Sequence, residues 1–153
     1  MLLPLIRDHV DVPIIAAGGI SDGRTMAAAF ALGAEGVQMG TQMLSCLESP
    51  VHINWKESIV NARETDTIFL NQKHSPALRA LRTERSERLA DMEENIFGQF
   101  GDPQKLYFGG DMNAAIALSG QVAGRIDAIR PIAEIIGETV EEFSETIDRL
   151  SDG

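Results

Sequence analysis

The stretch VPIIAAGGISDGRTMAAAFALGAEGVQMGTQM, residues 12–43, decides how the chain is read. Its opening run, VPIIAA, is short, apolar on successive residues and β-branched, the pattern of a strand buried on both faces of a parallel sheet. Ser21 or Asp22 then offers a helix N-cap, GRTMAAAFAL is rich in strong helix formers, and Gly33 supplies a C-terminal stop. EGVQMG gives a second short strand. Strand, helix and strand in this order predict a βαβ unit with parallel strands and a right-handed crossover. Each strand runs into a glycine-bearing turn, Gly18-Gly19 after the first and Gly40-Thr41 after the second.

At the C-terminal end of a parallel strand, adjacent glycines let the backbone approach a ligand closely. The free amides at the start of a following helix favour an anion. Two such turns on neighbouring strands can grip one phosphate. In (β/α)8 barrels, phosphate sites are frequently built from the loops after strands seven and eight and the N-terminus of a short extra helix. AAGGIS would supply one wall here and MGTQM the other, along with the short helix and the Thr41 hydroxyl as a further donor. Spacing alone leaves a second reading open, in which Gly18, Gly19 and Gly40 are only turn formers.

At 153 residues the chain has the size of one ordinary domain. Thirteen basic against 23 acidic side chains give a net charge of -10, which repels nucleic acid and anionic membrane surfaces. The longest uninterrupted apolar run, residues 26–32, is too short to cross a bilayer, and no signal-like segment opens the chain, so the expected location is cytoplasmic. Cys46 is the one cysteine; without ligand-spaced neighbours it suggests no metal, and it is expected as a small buried apolar residue.

The rest of the chain is organised differently. Residues 2–9 read as a helix ending at His9. After Met43, charged helix-like segments with one strand-like run, residues 67–70, read as a smaller and more exposed subdomain. Within it Arg79, Arg82, Arg85 and Arg88 recur every third residue and predict one side of a helix. Glu84 and Glu87 interleave with them, as on a solvated, ion-paired face rather than an anion grip. Trp55 and Tyr107 are expected to pack this subdomain. His52 and His74 fall at expected helix starts. GQFGDPQKLYFGGDMN, residues 98–113, concentrates glycine, proline and aromatic residues as a loop would. After Pro131 a long amphipathic helix carries Ile132, Ile135, Ile136, Val140, Phe143, Ile147 and Leu150 on roughly one face.

DVPIIAAGGISDGRTMAAAFALGAEGVQMGTQML closely resembles a stretch of the nitronate monooxygenase family, also called 2-nitropropane dioxygenases, and of the related FMN-dependent enoyl-acyl carrier protein reductases. The similarity continues through ETDTIFLNQKHSPALRALRTER and YFGGDMNAAIALSGQVAGRI. The resemblance implies an α/β fold: the C-terminal part of an FMN-binding (β/α)8 TIM barrel, strands seven and eight with their helices, plus a small helical covering subdomain. It implies barrel strands in residues 1–47, the cover in 48–112 and a return to the barrel with the C-terminal helix in 113–153. It further implies that Gly18, Gly19, Gln38, Met39, Gly40 and Thr41 hold the FMN phosphate and that Gln121 lies near the flavin. The implied reaction is oxidation of an alkyl nitronate with O2 to a carbonyl compound and nitrite; the alternative is reduction of an enoyl thioester by a nicotinamide donor.

The departure from the family is as informative as the match. Such a barrel needs eight strands and about 250 residues, whereas this chain offers two of those strands. In the family a histidine in a glycine-rich loop of the earlier part removes the substrate's proton, and none of His9, His52 or His74 has a matching context. The resemblance therefore implies no catalytic base in this sequence. It makes the chain a C-terminal portion, a truncated product, or half of a split barrel completed by a second chain.

Overall fold

A computed structural model describes residues 2–152. The first part is α1 (Leu2–Arg7), β1 (Ile15–Ala17), α2 (Gly23–Ala31), β2 (Gly36–Gln38) and α3 (Gly40–Leu44). β1 and β2 pair in parallel with Ile15 opposite Gly36, Ala16 opposite Val37 and Ala17 opposite Gln38. Asp22 starts α2 by accepting the Thr25 N–H at 2.8 Å, while Thr25 Oγ1 accepts the Asp22 N–H at 3.1 Å. α2 stops where Gly33 takes φ +101°, which lets the Ala34 N–H donate to the Ala29 carbonyl at 3.0 Å. A small core of Ile20, Ala29 and Ala34, with Leu3, Met26, Val37 and Met39 against it, joins helices to strands. The expected two-sided burial of the first strand is not found: β1 has three residues and Ile15 is 60% exposed. Such burial needs flanking strands and a layer on each face, and a two-stranded sheet lacks them.

The second part is α4 (Ile53–Val60), β3 (Thr67–Leu70), β4 (Leu78–Leu81), α5 (Glu84–Ala90), a 3-10 turn at Ile96–Gln99, α6 (Pro103–Tyr107) and a 3-10 strap at Gln121–Arg125. β3 and β4 form an antiparallel pair with Phe69 opposite Arg79. The arginine series therefore does not line one helix. Arg79 sits in β4 with its guanidinium 5.3 Å from the Phe69 ring, Arg82 lies in the turn, and only Arg85 and Arg88 belong to α5. Thr83 resets the backbone, its Oγ1 accepting the Ser86 N–H at 3.2 Å while Ser86 Oγ accepts the Thr83 N–H at 2.8 Å. The expected loop at residues 98–113 likewise contains α6, started by Pro103 and by Asp102, whose carboxylate accepts the Gln104 and Lys105 N–H groups at 3.1 and 3.3 Å. His74 lies in the connection between β3 and β4, not at a helix start.

Two cores hold this part together. One gathers Trp55, Ile59, Leu106, Ala117, Val122 and Ala123; the other Leu70, Ala80, Leu89, Ile96 and Ile116. Trp55 is 1% exposed and meets Tyr107 edge-on at 4.9 Å, the packing role expected of both. Buried Lys56 reaches back to the first part, donating from Nζ to the Leu47 carbonyl at 2.9 Å.

α7 (Ile132–Ser151) returns to pack along α2. Phe30 and Phe143 meet edge-to-face at 5.1 Å. The expected apolar stripe packs along one edge only: Ile135 is buried and Ile132 and Phe143 are half-buried, with Thr139 and Thr146 buried beside them, while Ile136, Val140, Ile147 and Leu150 are exposed. Backbone proximity decides this. A Cβ on Gly23 would stand 2.2 Å from the Phe143 nitrogen and 2.6 Å from the Thr139 carbonyl oxygen. So close an approach selects the helix face with small Thr139 over the isoleucine-rich one beside it.

Candidate cofactor site

The C-terminal ends of β1 and β2 lie side by side, and their turns enclose a cleft of about 280 Å³ lined by Ala17, Gly18, Gly19, Ile20, Gln38, Gly40, Thr41, Gly120 and Val122. Gly18 and Gly19 have φ +96° and +78°, a conformation that strains any residue with a Cβ. A Cβ built on Gly18, Gly19 or Gly40 meets nothing within 4 Å, so these backbones face open space. The cleft adjoins a larger apolar one of about 540 Å³ that shares Gly18 and Gly19 and is walled by Leu2, Ile6, Ile15 and Leu32.

The two helices that follow these strands differ at their N-termini. That of α2 is closed by carboxylates: Asp22 takes the Thr25 N–H, and Glu142 Oε2 takes the Gly23 N–H at 2.7 Å. α3 has no side-chain cap, because Met39 stands at its N-cap position. Its first-turn amides at Gly40 and Thr41 are the ones left for an anion. Thr41 Oγ1 accepts the Gly120 N–H at 2.8 Å, leaving the hydroxyl hydrogen to donate elsewhere.

Of the residues expected here, Gly18, Gly19, Gln38, Gly40 and Thr41 come together around the cleft. Met39 packs against the small core of Ile20, Ala29 and Ala34 and does not line the cleft. Gln121 is exposed at the head of the strap, and its neighbours Gly120 and Val122, rather than Gln121 itself, line the cleft. Sequence reading missed Gly120, whose approach to Thr41 crosses 79 residues of chain. The small residues of LSGQVAG hinted at a close approach without saying to what.

Asp22 is the charged group nearest these turns with a displaced pKa. Burial pushes its carboxyl up, but the hydrogen bonds from the Thr25 backbone and hydroxyl, with the Arg125 guanidinium, together hold it below the ordinary value. The histidines are engaged elsewhere. His9 Nδ1 lies 2.7 Å from the Leu5 carbonyl, His52 Nδ1 accepts the Asn54 N–H at 3.1 Å, and His74 Nε2 lies 2.9 Å from the Glu93 carbonyl. Cys46 is a buried free thiol. Among the described residues no group of three or more His, Cys, Asp or Glu could hold a metal ion, and no helix is long and apolar enough to cross a membrane.

Adjacent parallel strand ends, left-handed glycines and a short helix without a side-chain cap are what this α/β chain brings together at the cleft. The family profile for nitronate monooxygenase matches residues 1–142, and the chain belongs to the nitronate monooxygenase family. It is 41% identical over 95 residues to a probable nitronate monooxygenase of Staphylococcus haemolyticus, covering 62% of this chain and 27% of that relative. The structure of FabK from Thermotoga maritima matches with a TM-score of 0.89 and 39% identity over 99% of this chain and 50% of that one. Nitroalkane oxidase from Streptomyces ansochromogenes shares the fold with a TM-score of 0.77 at 24% identity, over 97% of this chain and 44% of that one. The chain thus spans about a quarter of the curated relative and half of FabK.

Proposed function

We propose that this chain is the FMN-phosphate-holding and flavin-covering part of an oxidoreductase of the nitronate monooxygenase type, acting on alkyl nitronates with O2 to give a carbonyl compound and nitrite. The observation that carries the reading is the open cleft at the two strand ends, where Gly18, Gly19 and Gly40 turn bare backbone toward a space of about 280 Å³. The residues fit the cofactor's anionic end: the Gly40 and Thr41 amides and the Thr41 hydroxyl can donate to phosphate oxygens, and no carboxylate lines the cleft. FMN held there would supply the electron transfer, while these residues bind and orient it. Gln38 and the strap at Gly120 bound the cavity, and Ile20 and Val122 keep its walls apolar. Gln121, exposed at the head of the strap and outside the cleft lining, would stand nearer the flavin ring than the phosphate.

Within this reading residues 1–47 supply strands seven and eight of a TIM barrel, 48–112 the cover, and 113–153 the return to the barrel and its last helix. Residues 115–126 pack on the cover on the way. No catalytic residue is assigned, since each histidine is engaged outside the cleft. The exposed apolar faces of α1, β1 and α7 suit burial against further barrel elements, from the same or a second chain. A cytoplasmic location accompanies the reading.

A second reading, reduction of an enoyl thioester by a nicotinamide donor on the same scaffold, is favoured by the likeness to FabK along the whole chain. Titrating FMN into the chain and following flavin fluorescence tests cofactor binding. With the barrel completed in the reconstituted full-length form, nitrite release from a nitronate against NADH consumption with an enoyl thioester then separates the two reactions. NADH consumption without nitrite would overturn the first reading.

A further inference from the structure

The strap Gln121–Arg125 is joined to both strand-end turns, one at each of its ends. At its head the Gly120 N–H donates to Thr41 Oγ1 at 2.8 Å, tying it to the turn after β2. At its tail Arg125 Nη2 donates to Asp22 Oδ2 at 2.9 Å, tying it to the turn after β1. Between the ties, Val122 and Ala123 are buried in the core around Trp55, so the strap packs on the cover. The fit is tight: a Cβ on Gly120 would stand 3.2 Å from Thr41 Oγ1, and one on Gly124 only 2.4 Å from the Glu64 nitrogen. The strap therefore bridges the two walls of the cleft, and Gln121 is its first residue.

We propose that Arg125 is a positioning residue: its ion pair with Asp22 and the Thr41–Gly120 hydrogen bond act together as a two-point latch that sets the strap, and Gln121 with it, over the cleft. The inference rests on the FMN reading for its ligand, whereas the latch is a property of the chain alone. Arg125 does not line the cleft, so its influence there passes through the strap. Asp22 is a suitable anchor because capping α2 already holds its carboxylate still before Arg125 meets it. Arg24, the competing cation, stands farther from the same oxygen at 3.4 Å and directs its Nε to Glu142 at 3.0 Å.

Amide hydrogen exchange at Gly120, measured in the full chain, tests the latch. The proteins compared are wild type, Arg125→Met, Arg125→Lys, Asp22→Asn and the Asp22→Asn/Arg125→Met double variant. Asparagine caps a helix as well as aspartate does, so Asp22→Asn removes the charge and keeps the start of α2. Each single loss should speed Gly120 exchange by about two- to fivefold, the effect of one partly exposed ion pair. The double variant should go no further, Arg125→Lys should recover most of the protection, and the β3 and β4 amides should be unchanged. FMN, added as the ligand, should shift the Gly18 and Gly19 amides with weaker apparent affinity in Arg125→Met than in wild type. Unchanged Gly120 exchange in Arg125→Met, or additive effects in the double variant, would overturn the latch. If FMN moves no cleft amide in wild type, the cofactor reading fails while the exchange data still decide the latch.

Discussion

Glu142 accepts the Gly23 N–H at 2.7 Å, so the last helix of the chain closes the N-terminus of the first helix of the βαβ unit. The bond crosses 119 residues of sequence and is possible only because Gly23 brings the α2 backbone against α7.

Gly23→Ala is expected to force the two helices apart and destabilise the chain by about 1–3 kcal/mol, the usual cost of overpacking. Gly137, in the same α7 but with nothing within 4 Å of a built Cβ, is the matched control. Gly137→Ala should stabilise by roughly 0.5–1 kcal/mol through helix propensity. Urea unfolding of both variants checks the opposite signs.

Acid should weaken the fold partly through Asp22. Its carboxyl in the folded chain lies below the ordinary 3.8, so the unfolded chain takes up the proton first as pH falls. Its contribution is complete above that ordinary value and is lost as pH drops through it and on through the lower folded value. Asp22→Asn, which retains the cap, should show a shallower loss of stability between neutral and acid pH than wild type, measured by denaturant unfolding at a series of pH values.

The unpartnered stripe of α7 should make the chain self-associate. Val140 and Leu150 are 52% and 66% exposed. Val140→Lys with Leu150→Lys should reduce concentration-dependent association in sedimentation experiments and change folding stability by no more than about 0.5 kcal/mol.

Gly19→Ala separates fold from site. At φ +78° an alanine is strained by about 1–2 kcal/mol, yet its methyl meets no neighbour and instead enters the space before the cleft. FMN affinity should fall about tenfold or more while the chain stays folded; tenfold is about 1.4 kcal/mol.

What the sequence made legible follows from how local its cause is. The parallel strand pair, the caps at Asp22 and Gly33, and the glycine turns are set by residues within a few positions of one another, so residues 12–43 could be read directly. β4 was missed because Leu78–Leu81 has an arginine at three-residue spacing from others, and its strand state depends on pairing with Thr67–Leu70. The packed face of α7 is partly legible for a similar reason: hydrophobic periodicity takes in Ile135 and Phe143, which pack, together with Ile136 and Val140, which do not because Gly23 fixes the contact at Thr139. The Thr41–Gly120 and Asp22–Arg125 ties join distant segments, and no local pattern announces such a pairing.

The central claim is that the glycine turns after β1 and β2 form an FMN-phosphate cradle. Recording the amide spectrum of the nitrogen-15-labelled chain during FMN titration, with riboflavin as the control lacking phosphate, tests it most directly. The account expects saturable shifts centred on Gly18, Gly19, Gly40, Thr41 and Gly120, with riboflavin moving these amides far less. Shifts centred elsewhere, or equal shifts with riboflavin, would contradict it.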